Sequence, residues 1–402
     1  MSDFFQSGNI TTINILGEKG SDIIDSHLMK FSKRKKTAVL IPVLYSDYVR
    51  PAMKRILEIM KDIDFINEVV LSLGGASREK FERVKDEIKN HPRNITVLWM
   101  DNPKIKDMIF DLDKANLKIG PEGKGKSCWT GFGYILAKGE ADIIALHDSD
   151  IETYSKEMLA RLIYPLVSPH LPFEFSKGFY ARFSKKLHGR VTRLFVIPFF
   201  KALLKVLGPH PFIYYLNSFR YPLSGEFALR TGLARVMRFP GDWGLEVSVL
   251  YEVYRNVTLK RITQVGLAQR YDHKHQKVSE ADANMGLHKM TIDIATNVLK
   301  NIAAEGVIIS DGNIRAIQKT YLRIAEDMIS SYHAIAMMNG LSFDRHQEES
   351  IVETFYKALI HSSEKFLEDP MGVQMLPNWN RITSAYPNFL DKLKKLVDKD
   401  NK

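Results

Sequence analysis

Ala141-Asp-Ile-Ile-Ala-Leu-His147-Asp148-Ser149-Asp150 is the stretch on which the reading of the fold turns. Apolar and β-branched residues run without a turn into a polar triplet. Such a run suits a strand covered on both faces, the condition inside a parallel sheet. Two carboxylates one residue apart at its end would be costly away from water unless something neutralised them. A divalent cation does this: Mg²⁺ or Mn²⁺ takes hard oxygen ligands and holds the diphosphate of a nucleotide as well. The plainer alternative is a solvated loop or a helix cap, because Asp150 leads into Ile-Glu-Thr.

Upstream, the same pattern repeats. Thr37-Ala-Val-Leu-Ile-Pro-Val-Leu44 is a second buried-strand run, followed by helical spacing from Tyr48 to Asp62. Glu68 to Leu73 predicts a strand closed by Gly74-Gly75, Arg78 to Asn90 an amphipathic helix, Ile95 to Trp99 a strand and Ser127 to Ala137 a helix. This alternation predicts an open, mostly parallel α/β sheet with helices on both faces. Ligands in such sheets collect at the carboxyl ends of the strands, where Pro42-Val43-Leu44, Gly74-Gly75 and the Asp148/Asp150 pair fall. Residues 1–36 are expected as a polar leader, 37–278 as the sheet domain and 279–402 as a helical C-terminal extension suited to self-association. In that extension Met290 to Ala304, Asn313 to Met338 and Glu348 to Phe366 have helical spacing.

The 402 residues are 45% hydrophobic and 26% charged, an ordinary globular balance. One cysteine, Cys128, excludes an intrachain disulfide. The start lacks a secretory pattern and no apolar run is long enough to span a bilayer, so the cytoplasm is the expected location. A net charge of +10 favours an anionic partner. Phosphorylated small molecules fit it; for nucleic acid there is no zinc-finger, helix-turn-helix or RNA-binding signature.

Several further segments carry chemistry. Gly120-Pro-Glu-Gly-Lys-Gly-Lys-Ser127 precedes a helix, with glycines for close phosphate approach and lysines for charge. Its letters satisfy a Walker A pattern, but no strand leads into it, so a nucleotide-diphosphate turn is the favoured reading over an NTPase loop. Tyr221-Pro-Leu-Ser-Gly-Glu226 and Gly241-Asp-Trp-Gly-Leu-Glu246 place single carboxylates in apolar surroundings. Either could be a helix N-terminal charge. Gln269-Arg-Tyr-Asp-His273-Lys-His275 offers a third metal ligand, His273 first and His275 as rival. Lys185 to Arg193, containing Gly189, Arg190 and Thr192, suits an acceptor phosphate or carboxylate, or else a solvated basic face.

In order, Ile41-Pro-Val-Leu44, Gly123-Lys-Gly125, Asp148-Ser-Asp150, Gly189-Arg-Val-Thr192, Pro222-Leu-Ser-Gly-Glu226, Trp243-Gly-Leu-Glu246 and the late histidine resemble the glucosyl-3-phosphoglycerate synthases. The resemblance runs from about Thr37 to His275. It implies a Rossmann-like nucleotide-sugar fold of the GT-A type, and glucose transfer from UDP-glucose to 3-phosphoglycerate with retention, in glucosylglycerate (compatible-solute) synthesis. It also implies donor contacts from Pro42, Val43, Leu44, Gly74, Lys124, Asp148, Ser149 and Glu246, with Asp148, Asp150 and Glu246 at the reacting centre. Gly189, Arg190 and Thr192 would grip the acceptor, and Asp150 and His273 would hold Mg²⁺ or Mn²⁺. A homodimer is expected. Two departures stand out: Tyr45-Ser-Asp47 follows the first strand where the family tends to carry a glutamate, and the histidine segment is longer than usual. Sibling reactions (mannose as the sugar, or unphosphorylated glycerate as acceptor) are the nearest alternatives. A polyprenyl-phosphate transferase using Phe195 to Phe219 at a membrane surface is a further one, and a non-catalytic sugar-nucleotide or nucleic-acid binder the last.

Overall fold

A computed structural model describes residues 6, 8–17, 20–117, 119–120, 122–240, 244–273, 286–371 and 375–402. Eight strands form one sheet: β1 Thr11–Ile13, β2 Thr37–Leu44, β3 Glu68–Gly74, β4 Ile95–Trp99, β5 Ile143–Leu146, β6 Phe175–Tyr180, β7 Phe227–Arg230 and β8 Ile262–Ala268. Their order across the sheet is β1-β8-β6-β7-β5-β2-β3-β4. All neighbouring pairs are parallel except those of β7, which runs against both β5 and β6.

The sheet has two cores because successive side chains of a strand point to opposite faces. Along β2, Ala38 and Leu40 join one apolar cluster, while Val39, Ile41 and Val43 join the other. The first face is covered by the helix Lys124–Lys138, through Cys128, Trp129 and Phe132, and by the C-terminal helices. The second is covered by Pro51–Met60, Arg78–Ile88 and Lys156–Val167.

The stretch expected as a polar leader is instead part of the sheet domain. Thr11–Ile13 extends the sheet beside β8, and the helix Gly20–Phe31 packs on Lys156–Val167. A three-residue edge strand carries too little periodicity to read in advance; its partner supplies the hydrogen bonds that define it. At the opposite edge, Asn401 caps β4 like a short strand. Its side chain accepts from the Val97 N–H at 2.9 Å and donates to the Val97 carbonyl at 2.9 Å. The last helix, Phe389–Asp400, thereby covers an edge that would otherwise pair with another chain.

The helical extension is built mainly from Gly286–Ala304, Asp311–Met338 and Arg345–Glu368. It packs on Phe195, Phe199, Phe200 and Leu203, all fully buried. These four side chains are therefore core and are not available to a membrane surface, as the polyprenyl-phosphate reading would have them. Among the described residues no helix is long and apolar enough to cross a membrane. The expected division at 278/279 lies outside the described residues.

Candidate active site at the strand ends

The antiparallel β7 explains how distant motifs meet. Its N-terminal end lies at the same rim as the C-terminal ends of β5 and β6, with Leu146 opposite Phe227 and Lys177 also paired to Phe227. Residues that follow β5 (His147 to Asp150) are thus placed beside residues that precede β7 (Ser224 to Glu226). A Cβ on Gly225 would fall 2.3 Å from Asp148 Oδ2, so only glycine permits this approach.

Lys124 reaches the rim from the first turn of its helix. That helix begins one turn earlier than the spacing predicts, which turns Lys124 inward and pairs Lys126 with Glu122 at 2.8 Å. A helix, Pro103–Lys114, precedes the glycine turn, and among the described residues no strand leads into it as a P-loop requires. Lys124 Nζ lies 2.7 Å from Asp148 Oδ1 and 3.1 Å from Glu246 Oε1. Burial alone would pull this ammonium down, but the two carboxylates win and hold it well above its ordinary value. Burial likewise opposes ionisation of Asp148, and Lys124 overrides it, keeping the carboxyl below its usual range. Glu246 occupies the first turn of the helix Leu245–Asn256.

Asp150 and His273 meet through a short ladder. Ile151 and His273 form an antiparallel bridge, and the Glu152 N–H donates to the Asp272 carbonyl at 2.9 Å. His273 Nδ1 stands 3.4 Å from Asp150 Oδ2, is buried and makes no hydrogen bond. Two adjacent ligands of an octahedral cation with bonds of about 2.1 Å are about 3 Å apart, so this pair fits one ion. Among the described residues no three or more His, Cys, Asp or Glu side chains are grouped so as to hold a metal ion. Mg²⁺ is commonly bound through one or two protein ligands, with water and substrate phosphates completing its shell. His275 lies outside the described residues. Ser149 is almost fully buried between the two acids.

Glu226 is not a surface carboxylate. It is fully buried and accepts hydrogen bonds from Tyr271 at 2.7 Å and from Tyr180 and Ser224, each at 2.9 Å. Burial first, then the nearby Asp148 charge, raises its pKa. Tyr180 and Tyr271 stack with centroids 3.6 Å apart, and Tyr271 lies edge-on to His273. Glu226 therefore braces both the turn against Asp148 and the strand leading to His273. The sequence reading missed Lys177, a fully buried lysine in β6 that donates to the Ser224 carbonyl at 2.6 Å. Burial lowers its pKa to about 8, against the pull of Glu246 and Glu226. A lysine inside the run Phe175-Ser-Lys-Gly-Phe-Tyr180 was the available signal.

The remaining candidates separate into rim and core. Leu44 is 56% exposed at the end of β2, and Gly74 packs against it. Pro42 and Val43 are buried. Gly189 has φ +69 with the Tyr221 hydroxyl beneath it, and Tyr221 packs on Tyr180 at 4.8 Å. Arg190 opens a π-helical turn, Val191–Val196, in which Thr192 is buried. The Gly189–Thr192 segment and the Asp150/His273 pair are thus linked through Tyr221, Tyr180 and Tyr271.

The chain is 43% identical over 401 residues to the glucosyl-3-phosphoglycerate synthase of Persephonella marina, covering 100% of this chain and 99% of that one. It is 37% identical over 396 residues to the enzyme of that name from Methanococcoides burtonii, covering 97% and 96%. The solved structure of the Mycobacterium tuberculosis glucosyl-3-phosphoglycerate synthase with Mn²⁺, UDP and glucosyl-3-phosphoglycerate superposes with a TM-score of 0.53. That match is 20% identical and covers 72% of this chain and 87% of the other. No protein-family model matches the chain. The fold is that of the GT-A nucleotide-sugar glycosyltransferases, and the chain belongs to the glucosyl-3-phosphoglycerate synthase family.

Proposed function

We infer that this protein is a metal-dependent glycosyltransferase that moves glucose from UDP-glucose to 3-phosphoglycerate with retention of anomeric configuration. The observation that carries the reading is the convergence of Lys124, Asp148, Glu246, Asp150 and His273 on one rim of the sheet. Relatives named for this activity span nearly the whole chain, and the Mycobacterium tuberculosis enzyme has been solved with Mn²⁺, UDP-glucose and phosphoglyceric acid.

Asp150 and His273 would hold the cation, which when bound offsets negative charge on the departing diphosphate. Lys124 exchanges its carboxylate partners for the diphosphate, freeing Asp148 and Glu246 to accept from ribose or glucose hydroxyls. Pro42, Val43, Leu44, Gly74 and Ser149 complete the donor side, and Gly189, Arg190 and Thr192 receive the acceptor. In the transfer the bond from glucose C1 to the diphosphate oxygen breaks, and the acceptor hydroxyl oxygen bonds to C1. The hydroxyl proton passes to the leaving oxygen. A covalent glucosyl intermediate is disfavoured: Glu226 is sealed by three hydroxyl donors, and Asp148 and Glu246 accept from ribose or glucose hydroxyls once Lys124 has turned to the diphosphate. Catalysis then rests on positioning and electrostatics.

The test is incubation of the purified protein with UDP-glucose, 3-phosphoglycerate and Mg²⁺, following UDP release and the anomeric proton of the product by NMR. Release dependent on acceptor and metal, with an α-linked product, supports the reading. Mannose transfer from GDP-mannose at a higher kcat/KM, or a β-linked product, overturns the donor or the stereochemistry. A cytoplasmic homodimer remains part of this reading, supported by the lone buried cysteine and the long C-terminal helices. Sedimentation at micromolar concentration checks the dimer.

A further inference from the structure

A cavity of about 330 Å³ opens between the acceptor segment and the start of the helix Arg345–Glu368. Lys186 and Arg190 line it from one side, and Ser342, Asp344, Gln347 and Glu348 from the helical extension on the other. The two sides are stitched together: the Ser342 N–H and hydroxyl both donate to the Lys185 carbonyl, at 2.8 and 3.0 Å.

The charges in this wall are unequally shared. Glu348 is buried and grips Arg193 with both oxygens, at 2.8 and 3.2 Å. Arg193 also donates to the His188 carbonyl and lies 4.7 Å over the Tyr332 ring. Arg190 stands 4.0 Å from Glu348, at the limit of an ion pair, and its closer partner is the neutral Gln347 amide oxygen at 3.1 Å. A bidentate carboxylate–guanidinium pair is much stronger than a long monodentate one. One guanidinium is therefore committed to the fold, while its neighbour keeps its charge for a ligand.

We propose that the helical extension completes the acceptor site, with Gln347 aiming Arg190 at an anionic end of the acceptor and Glu348 acting as a positioning residue that holds Arg193 aside. The ligand class is a small hydroxy acid bearing a phosphate. This rests on the assignment of Arg190 to the acceptor made above. The extension is then a wall of the active site as well as packing.

Steady-state kinetics of Gln347→Leu and Glu348→Gln test it, with each substrate varied in turn. The Gln347 side chain is exposed, so its variant keeps the fold even if Glu348→Gln does not. Losing one charge-assisted contact should raise the 3-phosphoglycerate KM about tenfold in Glu348→Gln and about threefold in Gln347→Leu. The UDP-glucose KM should stay within about twofold. Glycerate and glycerol 3-phosphate as competitive inhibitors assign the anionic end. If glycerol 3-phosphate weakens and glycerate does not, Arg190 serves the phosphate; the reverse assigns the carboxylate. Both KM values rising together, or neither changing in Gln347→Leu, overturns the proposal. Arg190→Ala separates the layers: an unchanged acceptor KM there defeats the acceptor assignment itself. A raised one with silent Gln347 and Glu348 variants defeats this inference alone.

Discussion

Two lysines in this protein sit against carboxylates at opposite ends of the same sheet. At the N-terminal end of β3, Lys138 Nζ pairs with Glu68 at 2.6 Å, and the two side chains are only 11% and 2% exposed. At the C-terminal rim, Lys124 pairs with Asp148 and Glu246, and exposure rises to 29%, 25% and 10%. The chemistry is the same, yet the first pair is nearly sealed and the second is partly exposed at the rim. A sealed pair can only hold the fold, and poorly: burial raises the Glu68 pKa despite Lys138, and Glu68 Oε1 has no hydrogen bond. An open pair can trade partners with a ligand. Location at the strand ends separates the two roles, since only there do loops from several strands converge.

The contrast breaks most sharply at the Asp150/His273 pair. Asp150→Ala should cut kcat by about 10³-fold, or about 4 kcal/mol of transition-state stabilisation, with little change in Tm. Activity titrated with Mn²⁺ and thermal melting measure the two sides. Next comes Lys138→Met, which leaves Glu68 buried without its cation. It should lower unfolding free energy by about 3 kcal/mol near pH 8 while kcat/KM stays close to the parent value. Because the folded Glu68 pKa lies above the unfolded one, the folded state binds the extra proton, so the deficit should shrink as pH falls towards 5. Denaturant midpoints at the two pH values check the sign. The smallest effect belongs to Lys124→Met: the UDP-glucose KM should rise about 30-fold, near 2 kcal/mol, with Tm almost unmoved. If Lys124→Met proved the more destabilising and Lys138→Met the more damaging to activity, the comparison would be reversed.

The parallel half of the sheet was legible because its strands are fully covered and therefore continuously apolar: Thr37–Leu44 matches its predicted bounds, and Ile95–Trp99 does as well. Phe175–Tyr180 was not, since its buried lysine breaks the apolar run and is tolerated only through the Ser224 carbonyl. Phe227–Arg230, four residues long, borrows its definition from neighbours on both sides. Arg190 was visible in the sequence, whereas its partner Gln347 lies 157 residues away.

Local sequence determined the strands from Thr37 to Leu146 and the helices between them, that Asp148 and Asp150 follow a buried strand, and which short motifs mark the family. Periodicity and residue chemistry act over a few residues and survive without any partner. Tertiary structure decided the pairings: which carboxylates Lys124 answers, that three hydroxyls seal Glu226, that Thr11–Ile13 joins the sheet, and that Gln347 and Glu348 meet Arg190 and Arg193. Those outcomes depend on the reversed direction of one strand and on contacts between distant segments, which no local pattern encodes.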